Sequence, residues 1–384
     1  MRTIKCFSAT SLFWICLCVL AITSCTDSSD KTLGVWYRKS DLDGPVRTRT
    51  ASFVIGNYAY VCGGYRSAVK NASNDYSTCV HDVWRYDMDN DYWMKCASMP
   101  AEAERRNGAV GFSIGSKGYV TTGYDSDNFE YLKDTWEFDP NATTTVEEED
   151  GTTTTLIGAW TRVDDFKGDA RSGALAFSIG DYGYVGTGRN DDGQYKDFWR
   201  FNPNAASGSQ WEEVYGFGGY KRDGSLAFVI NNVAYICCGY GDSGGLTDDL
   251  WKFDPTKATG TTGGWEKLRD IYDSDSDEDY DDDYTDIMRS NAAAFVIDGR
   301  AYIVTGQIAS GSYRTNYWIY DPSNDLWYGE DLTPFEGTSR INAVGFSNQN
   351  QTRGFVATGE TSSSRLDDVW ELKPYEWEED QKDV

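Results

Sequence analysis

The sequence is poor in the residues on which many hydrolytic and metal-dependent sites rely. It holds a single histidine, His81, in 384 residues, so a zinc site rich in histidine cannot be assembled. A Ser-His-Asp triad would have to use His81, and no strained nucleophile turn precedes that residue. The 9 cysteines show no metal-ligand spacing, and the adjacent pair Cys237-Cys238 is not such a spacing. We therefore expect no metal and no cofactor.

Basic residues are also in deficit. The chain has 35 Lys and Arg against 61 Asp and Glu, a net charge of −26. A surface this acidic repels phosphate rather than releasing counterions from it, which argues against nucleic acid and anionic membrane faces as partners.

The first 24 residues form a predicted targeting segment. Arg2 and Lys5 make a positive start, and the apolar core Ser11–Ile22 is too short to span a membrane with normal flanks. The segment ends in Leu20-Ala21-Ile22-Thr23-Ser24-Cys25, which resembles a bacterial lipoprotein cleavage box. This resemblance implies a signal peptide over residues 1–24 and lipid on Cys25, with ordinary secretory cleavage nearby as the alternative.

A short polar tether, residues 25–34, follows the predicted lipid site. Its acids Asp27 and Asp30 resemble those of surface-exported lipoproteins of the Bacteroidota. We therefore expect a lipid-anchored extracytoplasmic protein at the outer membrane or cell surface, held to the membrane through the lipid only.

One sequence motif occurs six times in the remaining chain. Each copy has an arginine, a phenylalanine six residues later, an aromatic residue four before a glycine, and Asp or Asn two before a tryptophan. A unit that recurs every fifty to seventy residues with short strands predicts a radial β array. The arginines are Arg47, Arg106, Arg171, Arg222, Arg289 and Arg340.

These copies resemble the Kelch family of β-propellers. The resemblance rests on the doublet Gly63-Gly64, on Tyr60 four residues before Gly64, and on the Asp-x-Trp-x-aromatic-Asp-Pro run at Asp249–Pro255. It covers residues 35–374 and implies an all-β, six-bladed Kelch-type propeller. Residues 375–384 would be an acidic C-terminal tail.

The ends of the chain indicate how the ring closes. Val35–Lys39, with Trp36, has the pattern of a fourth strand without its own first three, whereas the last copy has three strands only. We expect the N-terminal strand to complete the last blade, because closure removes exposed sheet edges. Trp377 competes for this place, but it lies only seven residues after Trp370.

In a Kelch-type propeller the first strands line the channel, and the arginines would stand where the entry loops meet them. The resemblance thus implies six guanidinium groups around one mouth. A donor-rich ring with aromatic residues suits a sugar acid, a sialylated glycan or an acidic peptide. Some eukaryotic Kelch domains hold peptide carboxylates with similarly placed arginines. The residues after the glycines should share this rim: Tyr65, Tyr124, Arg189, Tyr240, Gln307 and Glu360.

The alternative is that each arginine pairs internally with the aspartate two residues before a tryptophan, forming a structural girdle. One copy has Asn316 instead. Arg289 or its neighbour Arg340 would then lack an anionic partner and be free for a ligand.

Two further features are open to more than one interpretation. Cys79 and Cys96 bracket a predicted hairpin at a spacing that could suit a disulfide. Alternating acids at Asp273, Asp275 and Asp277 resemble the start of a calcium loop, although Glu278 replaces the expected glycine. A solvated, disordered acidic loop is the favoured interpretation of that segment.

We interpret the protein as a propeller that binds a glycan or protein ligand at the channel mouth. A copper-radical galactose oxidase is excluded, because that Kelch-type family needs two histidine ligands. A cofactor-free mutarotase or epimerase, similar to the sialic acid mutarotases, is the alternative, with Glu360 as base. A third hypothesis is a scaffold in an envelope complex, with an inert channel.

Overall fold

The structure is a computed structural model, and it describes residues 32–70, 76–148, 150–259, 263–272 and 284–377. The predicted leader, the lipid site Cys25 and most of the acidic tail lie outside these ranges. The acids Asp273, Asp275 and Asp277 lie outside them too. No helix in the described part of the chain is long and apolar enough to cross a membrane.

The described chain is built almost wholly from antiparallel strands, which form six sets of four. We call each set a blade and number its strands outward from the channel. Blade one holds Ala51–Ile55, Tyr58–Cys62, Val83–Asp87 and Tyr92–Cys96; blade two, Val110–Ile114, Lys117–Thr121, Thr135–Glu147 and Thr153–Arg162; blade three, Leu175–Ile179, Tyr182–Gly186, Phe198–Phe201 and Trp211–Val214; blade four, Leu226–Ile230, Val233–Cys237, Trp251–Phe253 and Trp265–Lys267; blade five, Ala293–Ile297, Arg300–Val304, Tyr317–Asp321 and Leu326–Tyr328; blade six, Val344–Ser347, Gly354–Ala357, Val369–Trp377 and Leu33–Lys39.

Short elements lie outside the blades. The remaining strands are Tyr65–Lys70 with Tyr76–Cys79, Tyr124–Asp125 with Glu130–Tyr131, Arg189–Asn190 with Gly193–Gln194, and Arg222–Asp223 with Tyr240–Gly241. In the described ranges, single 3-10 turns cover Pro255–Lys257 and Tyr284–Asp286.

The N-terminal strand is the outermost strand of blade six, as the sequence predicts. It begins at Leu33, two residues earlier than expected, and pairs antiparallel with Val369–Trp377, with Trp36 opposite Leu372. Trp377 continues the third strand of this blade and does not make a strand of its own. The innermost strands contact one another in sequence, and that of blade six contacts that of blade one.

A circle of backbone hydrogen bonds runs around the channel. It is formed by the residue two positions after each repeat arginine. The N–H of each member donates to the carbonyl oxygen of the preceding member at 2.8–3.3 Å, and the first donates to the last. All members have positive φ, between 54° and 62°, which favours glycine and asparagine. The members are Arg49, Gly108, Gly173, Gly224, Asn291 and Asn342.

A second circle joins neighbouring blades. The N–H of each second-strand glycine donates to the carbonyl oxygen of the next blade's arginine at 2.8–3.1 Å, from Gly64 to Arg106 and finally from Gly359 to Arg47. The repeat arginine and glycine are therefore positions at which one blade fastens to the next.

Aromatic side chains fill the space between blades. In blade one the Phe53 ring stacks on Tyr60 at 4.9 Å, and Phe138 of blade two packs edge-on against Tyr60 at 5.4 Å. The equivalent Phe and Tyr or Phe pair stacks in every other blade. Burial of each such side chain contributes on the order of 1.5–3 kcal/mol, so most repeat aromatics are core residues.

The channel narrows where small residues line it. A Cβ on Gly111 would lie 2.5 Å from the backbone oxygen of Ser52, and one on Gly345 would lie 2.4 Å from that of Ala294. At the end farther from the arginines, Gln351 Nε2 of blade six donates to the Val229 oxygen of blade four at 3.2 Å. This bond joins two blades that are not neighbours in the ring.

Replacement of Trp36 by alanine tests the closure. Trp36 is 3 % exposed and packs against Phe335, Tyr317 and Phe295, so Trp36→Ala should lower the free energy of unfolding by about 3–5 kcal/mol. Urea unfolding measures this. Trp377→Ala is the matched control, since Trp377 is 56 % exposed, and it should change stability by less than about 0.5 kcal/mol. Equal effects would contradict closure by the N-terminal strand.

Candidate functional site at the channel mouth

The six repeat arginines lie inside the protein and not on its rim. They are the largest fully buried side chains among the described residues, at 0–1 % exposure. Each Nε donates to the carbonyl two residues earlier at 2.8–3.2 Å. Each NH1 donates to the carbonyl that precedes its blade's second-strand glycine, again at 2.8–3.2 Å. These bonds use donors that a ligand would need.

Five of the six arginines also pair with the repeat aspartate. The ion pairs join Arg47 to Asp82, Arg106 to Asp134, Arg171 to Asp197, Arg222 to Asp249, and Arg340 to Asp368. The same aspartates accept the indole N–H of the tryptophan two residues later at 2.6–2.9 Å. The Asp-x-Trp pattern thus serves to hold the arginine.

The expectation that these guanidinium groups ring the mouth is corrected by this geometry. Their backbones do lie near the mouth, but the side chains turn into their own blades, where carbonyl and carboxylate oxygens satisfy them. The arrangement is that of the internal girdle. Arg340, one of the two predicted free arginines, is paired with Asp368 at 2.5 Å.

Blade five is the exception in the girdle. Arg289 contacts the Asn316 backbone oxygen at 3.2 Å and its side-chain oxygen at 3.4 Å, and within the described chain it makes no ion pair. Burial lowers the pKa of Arg289 to about 10. The indole N–H of Trp318 is buried without an acceptor. Arg289 lacks the carboxylate, as predicted, yet its 0 % exposure keeps it from the mouth.

Asn316→Asp should stabilise the protein. The new carboxylate would pair with Arg289 and accept from Trp318, and charge-assisted hydrogen bonds contribute about 1.5–3 kcal/mol. Asp286 lies 3.4 Å from the Asn316 amide, but Arg314 pairs with it at 2.8 Å. We expect a net gain of about 1 kcal/mol, measured by urea unfolding.

Asp368→Asn is the matched reverse substitution. It leaves Arg340 buried beside a neutral amide, as Arg289 is now, and should cost about 3 kcal/mol. A loss of stability in Asn316→Asp would show that blade five is adapted to the amide.

The predicted rim residues do share one face. The backbone of each residue after the second-strand glycine bridges to that of the residue after the repeat arginine. The side chains then diverge. Tyr65 lies under the Arg365 guanidinium at 5.0 Å, and Gln307 donates to the Gly311 oxygen at 3.0 Å. Tyr240 is exposed but lies outside the cavity lining, so only Tyr124 and Arg189 of this set line the mouth.

The mouth is a polar cavity of about 570 Å³ above the inner hydrogen-bond circle. Blades one, two and three supply most of its charged and aromatic side chains. The rings of Tyr124 and Tyr131 contact each other at a centroid distance of 4.8 Å. The principal polar side chains in the lining are Arg49, Asn107, Tyr124, Tyr131, Ser172, Arg189, Asp223, Asn291 and Asn342.

Two cations in this lining retain unused donors. Arg49 is 51 % exposed, and its one polar contact among the described residues is Nε to Glu360 at 3.4 Å. Arg189 is exposed, and its side chain makes neither a hydrogen bond nor an ion pair within the described ranges. Arg49 is not among the site residues predicted from the sequence. Its signal was an arginine at a repeat position where the other copies have glycine or asparagine.

Glu360, the predicted base, is already occupied. It is 8 % exposed; Oε1 accepts from Asn342 Nδ2 at 2.9 Å, and Oε2 lies 3.3 Å from Arg365. Its neighbours are thus Arg49 and Arg365 and not Arg340. With donors on both oxygens, Glu360 is poorly placed to take a proton from a ligand.

The possible disulfide between Cys79 and Cys96 does not form, and both side chains are buried thiols. Cys79 Sγ lies 3.4 Å from Asn107 Nδ2, whereas Cys96 lies opposite Val83 on the outer strand of blade one. His81 Nε2 contacts the Ala103 oxygen at 3.1 Å, and burial lowers the pKa of this imidazole. Among the described residues no group of three or more His, Cys, Asp or Glu could hold a metal.

Comparison with known proteins agrees with this architecture. Residues 50–274 match the KLHDC2/KLHL20/DRC7 Kelch-repeats domain. The chain belongs to the Kelch-repeat family. It is also similar to a solved structure titled "Structure of YjhT", with a TM-score of 0.61 and 14 % identity over 86 % of this chain and 95 % of that chain. At this identity the likeness concerns the fold alone. No curated protein matches the chain in sequence.

Blade two of this Kelch propeller holds a braced hairpin beside the mouth. Thr78 donates to Asp127 Oδ1 from both its N–H and its hydroxyl, and Asn107 Nδ2 donates to Ser126 Oγ at 2.8 Å. At its tip Phe129 is 77 % exposed and has φ of 60°, a strained conformation for a bulky side chain. The hairpin therefore presents an apolar side chain in a fixed place next to Tyr124 and Tyr131.

Proposed function

We propose that this protein binds a ligand with an anionic group, a carboxylated glycan or an acidic peptide, at the channel mouth. The observation that carries the proposal is the guanidinium of Arg189, which has no pairing partner among the described residues, at a polar cavity that also contains Arg49. A guanidinium binds carboxylate through two parallel hydrogen bonds, which gives both affinity and orientation.

The charge balance makes this arrangement informative. In a chain with 61 acidic and 35 basic residues, an arginine has many carboxylates with which to pair. The repeat arginines of five blades do so internally, whereas Arg189 does not pair within the described chain. A free cation in a concave site attracts an anion from solution more strongly than one on a flat surface, because the walls exclude water.

The size and lining of the cavity favour a sugar or a peptide end. Its volume of about 570 Å³ lies in the range of small-molecule sites. Ser172 offers a hydroxyl and Asn342 a side-chain oxygen to hydroxyl or amide groups of a ligand. The Tyr124–Tyr131 pair offers apolar ring faces of the kind on which sugars pack.

We place this binding function at the outer membrane or cell surface, through lipid on Cys25. This placement rests on the Leu20–Cys25 box. Binding of a glycan or protein ligand at this location requires no cofactor. The outer strands of the same propeller are the surface through which it would join an envelope complex.

A cofactor-free mutarotase or epimerase is the second candidate. Its support is the presence of carboxyl groups beside cations at the mouth, the combination that proton transfer on a bound sugar requires. Binding is favoured because Glu360 has both oxygens engaged. Exchange of anomers on an NMR timescale, faster with protein than without it, would establish turnover.

Calorimetric titration of the detergent-solubilised full-length protein tests the proposal. We compare three anionic ligands with the neutral sugar methyl glucoside. They are D-glucuronate, N-acetylneuraminate and an acidic tripeptide with a free C-terminal carboxylate. We expect an anionic ligand to bind better than the neutral sugar, and Arg189→Gln and Arg49→Gln each to lower its affinity about tenfold, which corresponds to about 1.4 kcal/mol.

Arg162→Gln is the control for this experiment. Arg162 is 53 % exposed in a surface pair with Asp165, away from the cavity lining, and its loss should leave affinity unchanged. The proposal is contradicted if none of the anions binds better than methyl glucoside, or if the mouth variants bind as the wild type does.

A further inference from the structure

Among the described residues that line the cavity, Asp223 is the one that carries a carboxyl group. It follows Arg222 directly, so the strand that holds the girdle turns the next side chain toward the mouth. Its one side-chain hydrogen bond among the described residues comes from Gln194 Nε2 at a long 3.3 Å. The carboxyl is half-buried in the cavity wall.

The surroundings of Asp223 come from three elements. Gln194 of the blade-three hairpin donates to it, whereas Arg189 of the same hairpin and Arg49 of blade one act on it through their charge. Tyr240 is its backbone partner. Burial raises the pKa of Asp223, and Gln194 and the charges of Arg189 and Arg49 only partly oppose that rise. Neither arginine comes within salt-bridge distance of Asp223.

This arrangement differs from that of the other acids near the mouth. Glu360 has donors on both oxygens and the girdle aspartates have an arginine and an indole, but Asp223 has spare acceptor capacity facing a cavity. A buried carboxyl without good donors weakens a fold, and such groups concentrate at functional sites.

We infer that Asp223 is the acceptor of the site: it takes a hydrogen bond from a hydroxyl or ammonium group of the ligand whose anionic group is bound by Arg189 and Arg49. The mouth therefore selects ligands that carry an anion and a donor on one small framework, such as a sugar acid. This inference rests on the proposed anion-binding function and adds the second half of the recognition.

A matched pair of probes separates the two halves. D-Glucuronate and cyclohexanecarboxylate both carry a carboxylate on a six-membered ring, but only the sugar acid carries hydroxyl groups. In calorimetry at pH 7 we expect the full-length protein to bind D-glucuronate at least tenfold more tightly. Asp223→Asn should remove most of that difference without weakening the binding of cyclohexanecarboxylate, whereas Arg189→Gln should weaken both.

The outcomes distinguish the two claims. If neither probe binds in a manner that depends on Arg189, the anion site itself fails and the acceptor role falls with it. If both bind through Arg189 but Asp223→Asn affects them equally or not at all, the anion site stands and the acceptor role is wrong.

A measurement without ligand checks the same carboxyl. A raised pKa in the folded state gives a contribution to stability that is present below the unfolded pKa and is lost as pH rises through the folded pKa. The difference in denaturation midpoint, Asp223→Asn minus wild type, should therefore increase as the pH is raised from 4 to 8. A constant loss of stability across this range would show that Asp223 is a structural acceptor and would overturn the inference.

Discussion

Six backbone hydrogen bonds form a closed circle around the channel, and the positions of the other elements follow from it. Each member of the circle is both donor and acceptor, so its backbone N–H and C=O are both used. The positive φ of these residues turns the chain from the entry loop into the innermost strand. That turn places the repeat arginine outside the circle, within its blade, and the following side chain at the mouth.

The circle separates structural from functional charge. The repeat arginines lie outside it and spend their donors on carbonyls and aspartates, which holds the second and third strands of each blade together. Residues on the other side of it face the cavity and do not follow the repeat. Arg49 is a member of the circle at a position where the other blades have glycine or asparagine. Arg189 and Asp223 stand at positions where the residue varies from blade to blade. We therefore assign ligand binding at this mouth to residues that differ from those at the equivalent positions of the other blades.

The same distinction explains how far the sequence could be interpreted. The spacing of Phe53, Tyr60 and Trp84 predicts strands. Successive side chains of a strand point to opposite faces of the sheet, so the spacing also determines which residues face the core. Trp36 likewise predicts the closing strand. Side-chain direction at Arg47 could not be predicted in this way, since spacing locates its backbone at the mouth but not the carbonyls that bind its guanidinium. Arg49 was missed because only the circle shows why glycine or asparagine is usual there.

Exchange of arginine Nε–H protons with water, followed by NMR on arginine-labelled protein, tests the separation of the two sets most directly. The buried arginines donate Nε to carbonyls at 2.8–3.2 Å. We predict six slowly exchanging Nε–H signals from them, and rapid exchange for Arg49 and Arg189. Rapid exchange of the repeat arginines would show that they are open to the channel, and would contradict the assignment of ligand binding to Arg49 and Arg189.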